Sequence, residues 1–138
     1  MQTVQLGRTG RRVTRIGLGG MPLSIQGRPE RGQAKAVIRR AVELGVNFID
    51  TADVYCLDDD DIGHNERLIA ETLDELGARD DVTVATKGGL TRPEGRDAVV
   101  CGPAQLGTVV SCPTARAARP GAQRRDTPNS VVAVAVES

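Results

Sequence analysis

Apolar positions along this chain change period in a set order, and that order outlines a fold. From Gln33 to Leu44, the residues Ala34, Val37, Ile38, Ala41 and Val42 recur at helical spacing, with Lys35, Arg39, Arg40 and Glu43 on the other side. This predicts an amphipathic helix closed by Gly45. Val46-Asn47-Phe48-Ile49 follows at once and has the length and content of a strand. A second helix is expected from an N-cap at Asn65 to Leu76, with Leu68, Ile69, Thr72, Leu73 and Leu76 on one face and Gly77 at its end. Val82 to Lys87 then reads as another strand. Earlier in the chain, Thr14 to Leu18 reads as a first strand. Ahead of it, Val4-Gln5-Leu6, the Gly7-Arg8-Thr9-Gly10 turn and Arg12-Val13 read as a short hairpin acting as a lid rather than as part of the core. Strands alternating with helices over very short joins imply right-handed crossovers and a parallel sheet.

Composition narrows this picture. A chain of 138 residues, 39% hydrophobic and 26% charged, has the size and make-up of one soluble globular domain. With one Phe, one Tyr and no Trp, the core must be built from Val, Leu, Ile and Ala. A formal net charge of zero favours neither a nucleic-acid nor a membrane partner. Cys56, Cys101 and Cys112 form no C-x-x-C and leave one over from any pairing, which points to free thiols in a reducing compartment. The first residues carry no apolar signal region and no run reaches transmembrane length, so the cytoplasm is expected.

The chemistry gathers at strand ends. Gly45-Val46-Asn47-Phe48-Ile49-Asp50-Thr51-Ala52-Asp53-Val54-Tyr55 passes from an apolar run to a polar one, which puts Asp50 and Tyr55 where a parallel strand opens into its loop. Gly17-Leu18-Gly19-Gly20-Met21-Pro22 and Lys87-Gly88-Gly89 end the neighbouring strands at the same rim. A phenol ionises near pH 10 in water and is a poor acid at neutrality, but an adjacent ammonium stabilises the phenolate. Lys87 is placed to supply that ammonium, Asp50 to hold it charged and fixed, and Tyr55 to protonate a developing alkoxide. On spacing alone, the plainer alternative is that Asp50 caps a turn, Tyr55 packs at the rim and Lys87 is solvated. The glycines near Gly19 let a backbone approach a ligand, or simply form a turn. They are not a dinucleotide fingerprint, because Pro22 stands where G-x-G-x-x-G requires its last glycine. A Tyr-x-x-x-Lys pair is excluded too, since Asp59 occupies the lysine position after Tyr55.

In order, spacing and setting, G-V-N-F-I-D-T-A-D-V-Y, the preceding A-V-E-L-G, the N-E-x-L-I-A-x-x-L helix and V-A-T-K-G-G resemble the aldo-keto reductase family. The resemblance covers Met1 to about Arg96. It implies an α/β fold, here part of a (β/α)8 TIM barrel: an N-terminal hairpin, about three βα units, then an irregular tail. It also implies NADPH and hydride transfer to an aldehyde or ketone, a small carbonyl substrate. By the same resemblance, Asp50, Tyr55 and Lys87 match three of the family's four catalytic positions. Gly19, Gly20 and Met21, with Asp50, match the nicotinamide end of the cofactor site. The fourth catalytic position, a histidine after the fourth strand, has no counterpart. The sole histidine, His64, precedes the second helix and is expected at the surface or as a cap. Asp58-Asp59-Asp60-Asp61 is expected to be a solvated loop beside a helix start rather than a metal site, and Cys56 a bystander with no basic neighbour.

After Arg96 the composition shifts. Asp97 to Ser138 contains no Lys, Ile, Phe, Tyr or Trp, and four prolines interrupt it. The expectation is two regions: 1–96 as the N-terminal portion of a barrel, and 97–138 as a disordered tail or the product of a shifted reading frame or early stop in a high-GC gene. Val131 to Val136 reads as a sticky, strand-like segment. A closed barrel needs on the order of 250 residues. The expected consequences are an open parallel sheet, unpaired groups on its last strand, possible self-association through that edge, weak NADPH binding and little turnover. The alternative is a fragment or remnant with no enzymatic function.

Overall fold

The helices end where glycine can turn the chain. Gly45 (φ +85) and Gly77 (φ +62) both lie in the left-handed region that other residues rarely adopt. The computed structural model describes residues 1–88, 90–92, 99–100 and 107–111. In chain order these form β1 (Thr3–Gln5), β2 (Arg12–Thr14), β3 (Leu18–Gly19), a 3-10 turn (Met21–Leu23), α1 (Arg31–Glu43), β4 (Phe48–Asp50), a second 3-10 turn (Asp59–Asp61), α2 (His64–Leu76), β5 (Thr83–Gly88), β6 (Leu90–Thr91), β7 (Val99–Val100) and β8 (Gly107–Ser111). The main sheet has the order β3-β4-β5-β8. Its first two pairings are parallel, as the strand-helix alternation predicts, with Gly19 opposite Asp50 and Asp50 opposite Ala85.

One core joins sheet and helices. Ala34 and Ile38 of α1, Ile49 of β4, and Leu68, Ile69 and Leu73 of α2 are buried together with Leu23, Ala78 and Val82. The cluster is aliphatic, as the scarcity of aromatics requires, and each large side chain in it contributes roughly 1.5–3 kcal/mol by burial. Between the helices, Arg31, Lys35 and Arg39 face Glu71 and Glu75 in a ladder of ion pairs.

The structure departs from the sequence pattern in five places. Val37 is 44% exposed rather than part of the α1 stripe, because Ala34 and Ile38 fill the buried face. No continuous strand runs from Thr14 to Leu18: Thr14 ends β2, Ile16 points to solvent, and the side chain of Asn47 takes over main-chain bonding between the strands. Asn47 Oδ1 accepts from the Thr14 amide at 2.7 Å, and its Nδ2 donates to the Arg12 carbonyl at 3.1 Å. The β1–β2 hairpin is no lid over the rim. It buries Leu6 and Val13 and meets Asn47, ahead of β4, and Thr83, the start of β5, so it lies at the strands' amino ends. The N-cap of α2 is Gly63, and Asn65 falls inside the helix.

The fifth departure concerns the sheet edge. β8 pairs antiparallel with β5 over five residues, from Val84 opposite Ser111 to Gly88 opposite Gly107. The sheet is therefore mixed rather than all parallel, and the edge of β5 expected to be open to self-association is already paired. Cys101, Cys112 and the Val131–Val136 segment lie outside the described residues. No helix among the described residues is long and apolar enough to cross a membrane.

Candidate active site

The two parallel pairings bring the carboxyl ends of β3, β4 and β5 side by side, so Gly19-Gly20, Asp50 and Lys87 share one rim, as the sequence pattern implied. The Lys87 ammonium donates to both Asp50 oxygens, at 3.0 and 2.9 Å, and to the Thr51 carbonyl at 3.0 Å. Its Nζ also lies 4.7 Å from the centroid of the Tyr55 ring. The Tyr55 hydroxyl donates to Asp50 Oδ2 at 3.5 Å. Burial works against the charged lysine, but hydrogen bonding with Tyr55 and Asp50 and the Asp50 charge outweigh it, and Lys87 is held above its ordinary range. The Asp50 and Lys87 side chains remain 49% and 37% exposed, so the pair is open to a ligand arriving from solvent.

The first-strand loop is tied to this site through the main chain, the Gly20 amide donating to the Asp50 carbonyl at 2.8 Å. Its two glycines differ. Among the described residues a Cβ on Gly19 would meet nothing within 4 Å, whereas one on Gly20 would lie 2.3 Å from Asn65 Oδ1 and 3.0 Å from the Asp50 carbonyl oxygen. Gly20 therefore makes room for the protein's own Asn65, and Gly19 is the position whose backbone is open. Met21 stands beside them, 44% exposed.

Asn65 is the residue that sequence reasoning misassigned. It is fully buried, accepts from the Thr51 hydroxyl at 2.6 Å, and donates to the Gly20 carbonyl at 2.8 Å and to Ser24 Oγ at 2.7 Å. Ser24 Oγ is in turn 2.8 Å from His64 Nδ1. The available signal was the position of an amide on the same helix face as Leu68, Ile69 and Thr72, a face otherwise destined for the core.

The remaining candidates are occupied by structural work. His64 lines a cavity of about 380 Å³ between the starts of α1 and α2, together with Arg28, Arg31 and Leu23. Burial, and next the Arg28 charge, lower its affinity for a proton. In the acidic run, Asp58 caps its own turn by accepting from the Asp60 and Asp61 amides, and Asp61 pairs with Arg28. No metal-binding cluster occurs among the described residues. Cys56 is fully buried and burial raises its thiol, although Arg92, a basic neighbour that sequence reading did not foresee, opposes this. Asp53 Oδ1 is buried with no hydrogen-bond partner among the described residues, and its Oδ2 faces Gly88.

Residues 15–108, more than half of the chain, match the sequence profile of the Aldo/keto reductase family. The chain is 34% identical over 89 residues to an uncharacterized oxidoreductase, YqkF, of Bacillus subtilis strain 168, covering 64% of this chain and 26% of that protein. It is 38% identical over 91 residues to a 6-dehydroglucose reductase of Novosphingobium aromaticivorans, covering 64% and 30%. Among solved structures, the holo form of aldo-keto reductase AKR11C1 from Bacillus halodurans superposes with a TM-score of 0.56 at 32% identity, covering 71% of this chain and 29% of that one. The chain thus spans between a quarter and a third of the length of these relatives. With the rim geometry, the matched residues and the shared fold agreeing, this chain belongs to the aldo/keto reductase family.

Proposed function

We propose that the chain carries the acid-base part of an NADPH-dependent oxidoreductase that reduces aldehydes or ketones to alcohols. The observation that supports this reading is the placement of Lys87, bonded to both oxygens of Asp50 and lying over the Tyr55 ring. Tyr55 gives its proton to the carbonyl oxygen as the alcohol forms, Lys87 stabilises the negative charge left on the phenol oxygen, and Asp50 keeps Lys87 charged and in place. NADPH, when bound, supplies the hydride to the carbonyl carbon. The residues here suit its nicotinamide end: Gly19 presents open backbone, Met21 an exposed apolar side chain, and Asp50 a half-exposed carboxylate. A fully buried free thiol at Cys56 fits a reducing, cytoplasmic setting.

The same reading assigns residues 1–96 to the opening units of a (β/α)8 barrel and expects the 138-residue chain by itself to turn over little. In such a barrel every strand is followed by a parallel neighbour, whereas β8 lies antiparallel on β5 and occupies the edge where the next strand would add. That pairing favours, as a second reading, a fragment without enzymatic function.

A prolonged assay of NADPH oxidation with an aromatic aldehyde separates the two. Slow consumption that falls by about 10²–10⁴-fold in Tyr55→Phe, the usual contribution of a positioned general acid, supports the reductase. Equal rates in both proteins would remove Tyr55 from the chemistry, and no consumption in either would favour the inert fragment.

A further inference from the structure

Behind Lys87, Asp50 and Tyr55 lies a second polar group, centred on Asn65. The side chain of Asn65 has no exposure and uses its oxygen and its nitrogen on three different segments: Gly20 in the first-strand loop, Ser24 beyond the 3-10 turn, and Thr51 at the end of β4. Each of these partners leads to the rim. Gly20 donates to the Asp50 carbonyl, and Thr51 presents its own carbonyl to the Lys87 ammonium. Thr51 is itself fully buried, and its amide is fixed on Ala85 of β5 at 2.8 Å.

We infer that Asn65 is a positioning residue, which locks the Gly19–Met21 loop to the Asp50–Tyr55 loop and so fixes both the cofactor-facing backbone and the lysine over Tyr55. The inference rests on the reductase reading for its purpose but not for its test. An amide is the side chain suited to the place. It needs a donor toward the Gly20 carbonyl and Ser24 and an acceptor toward the Thr51 hydroxyl, without a net charge that burial would penalise. A helix residue of that type reaches across because Gly20 has no Cβ: an alanine there would overlap Asn65 Oδ1. The two residues are fitted to each other.

The sequence provides an internal probe. Tyr55 is the only tyrosine and there is no tryptophan, so the intrinsic emission of the full chain reports this site alone. The Gly20 amide resonance reports the other arm. Both are measured in wild type, Asn65→Ala, Asn65→Asp, Thr51→Val and, as a control for general destabilisation of the core, Leu73→Ala. Asn65→Ala is expected to shift the Gly20 amide and to change Tyr55 emission. Asn65→Asp, which loses the donor toward Gly20, moves the Gly20 amide more than Tyr55. Thr51→Val, which loses only the hydroxyl, does the reverse. Leu73→Ala lowers stability with little effect on either. If Asn65→Ala does not fold, the opposite responses of Asn65→Asp and Thr51→Val carry the result. Changes in all variants that simply follow lost stability, or no response to Asn65 beyond that of the Leu73 control, would overturn the inference. Neither readout needs turnover, so a failure here is distinct from a failure of Tyr55→Phe to affect activity.

Discussion

Two polar groups lie back to back at the ends of β3, β4 and β5, and they are built on opposite principles. Lys87, Asp50 and Tyr55 form a charged group left a third to a half exposed at its ionic pair. Asn65, Thr51 and Ser24 form a neutral group with no exposure at all. Desolvating an ion pair costs several kcal/mol per ion, so a pair meant to receive a ligand is best kept near water. A neutral group whose every donor and acceptor is satisfied carries no such penalty and makes a rigid backing. On the proposed reading, the front group carries the chemistry and the rear one holds its shape.

Several substitutions would break this division, beginning with the largest effect. Gly20→Ala drives a methyl into Asn65 and toward the Asp50 carbonyl, and a loss of about 1–3 kcal/mol is expected in denaturant unfolding. The loss should shrink when Asn65 is also alanine, since residues in contact are not additive. Lys87→Met tests the front group. Its native pKa lies above the unfolded value of about 10.4, so its stabilisation is fully present below that pH and is lost as pH rises through the native value. Replacing it should cost at most about 1 kcal/mol near neutrality, because the pair is solvated, and should remove that alkaline component.

The smallest effect is expected at His64. Burial and Arg28 lower its native pKa below the unfolded value of about 6.5, so its contribution is present above that pH and lost as pH falls through the native value. His64→Gln should flatten the acid limb of the stability profile by about 0.5 kcal/mol or less, while keeping a hydrogen bond available to Ser24. An effect larger than that of Gly20→Ala would show that the rear group depends on His64 more than on the fit of Asn65 to Gly20.

The parts of the fold legible in the sequence were those that rest on local periodicity and on glycine. Ile38, Leu68, Ile69 and Leu73 announced the buried faces of the helices, and Gly45 and Gly77 their ends. Asp50, Tyr55 and Lys87 stood out because strand ends converge in a parallel sheet, and the sheet does bring them together. Asn65 was hidden because an asparagine near a helix start reads as a cap. The left-handed Gly63 caps the helix two residues earlier than expected, which places Asn65 inside it on the face of Leu68, Ile69 and Thr72.

The hairpin's place was equally beyond reach. Nothing in Val4 to Val13 says which end of a sheet it will cover, and the decision falls to contacts with Asn47 and Thr83, remote in sequence. β8 belongs to the same class, since an edge strand is chosen by the partner that leaves backbone groups unpaired, here β5. What the sequence alone determined is the order of elements from β1 to β5, the aliphatic core and the strand ends at which Asp50, Tyr55 and Lys87 stand, because each follows from periodicity within one segment. What tertiary structure decided is the orientation of the hairpin, the antiparallel edge and the amide behind the site. Each of these depends on hydrogen bonds whose partners no local pattern brings together.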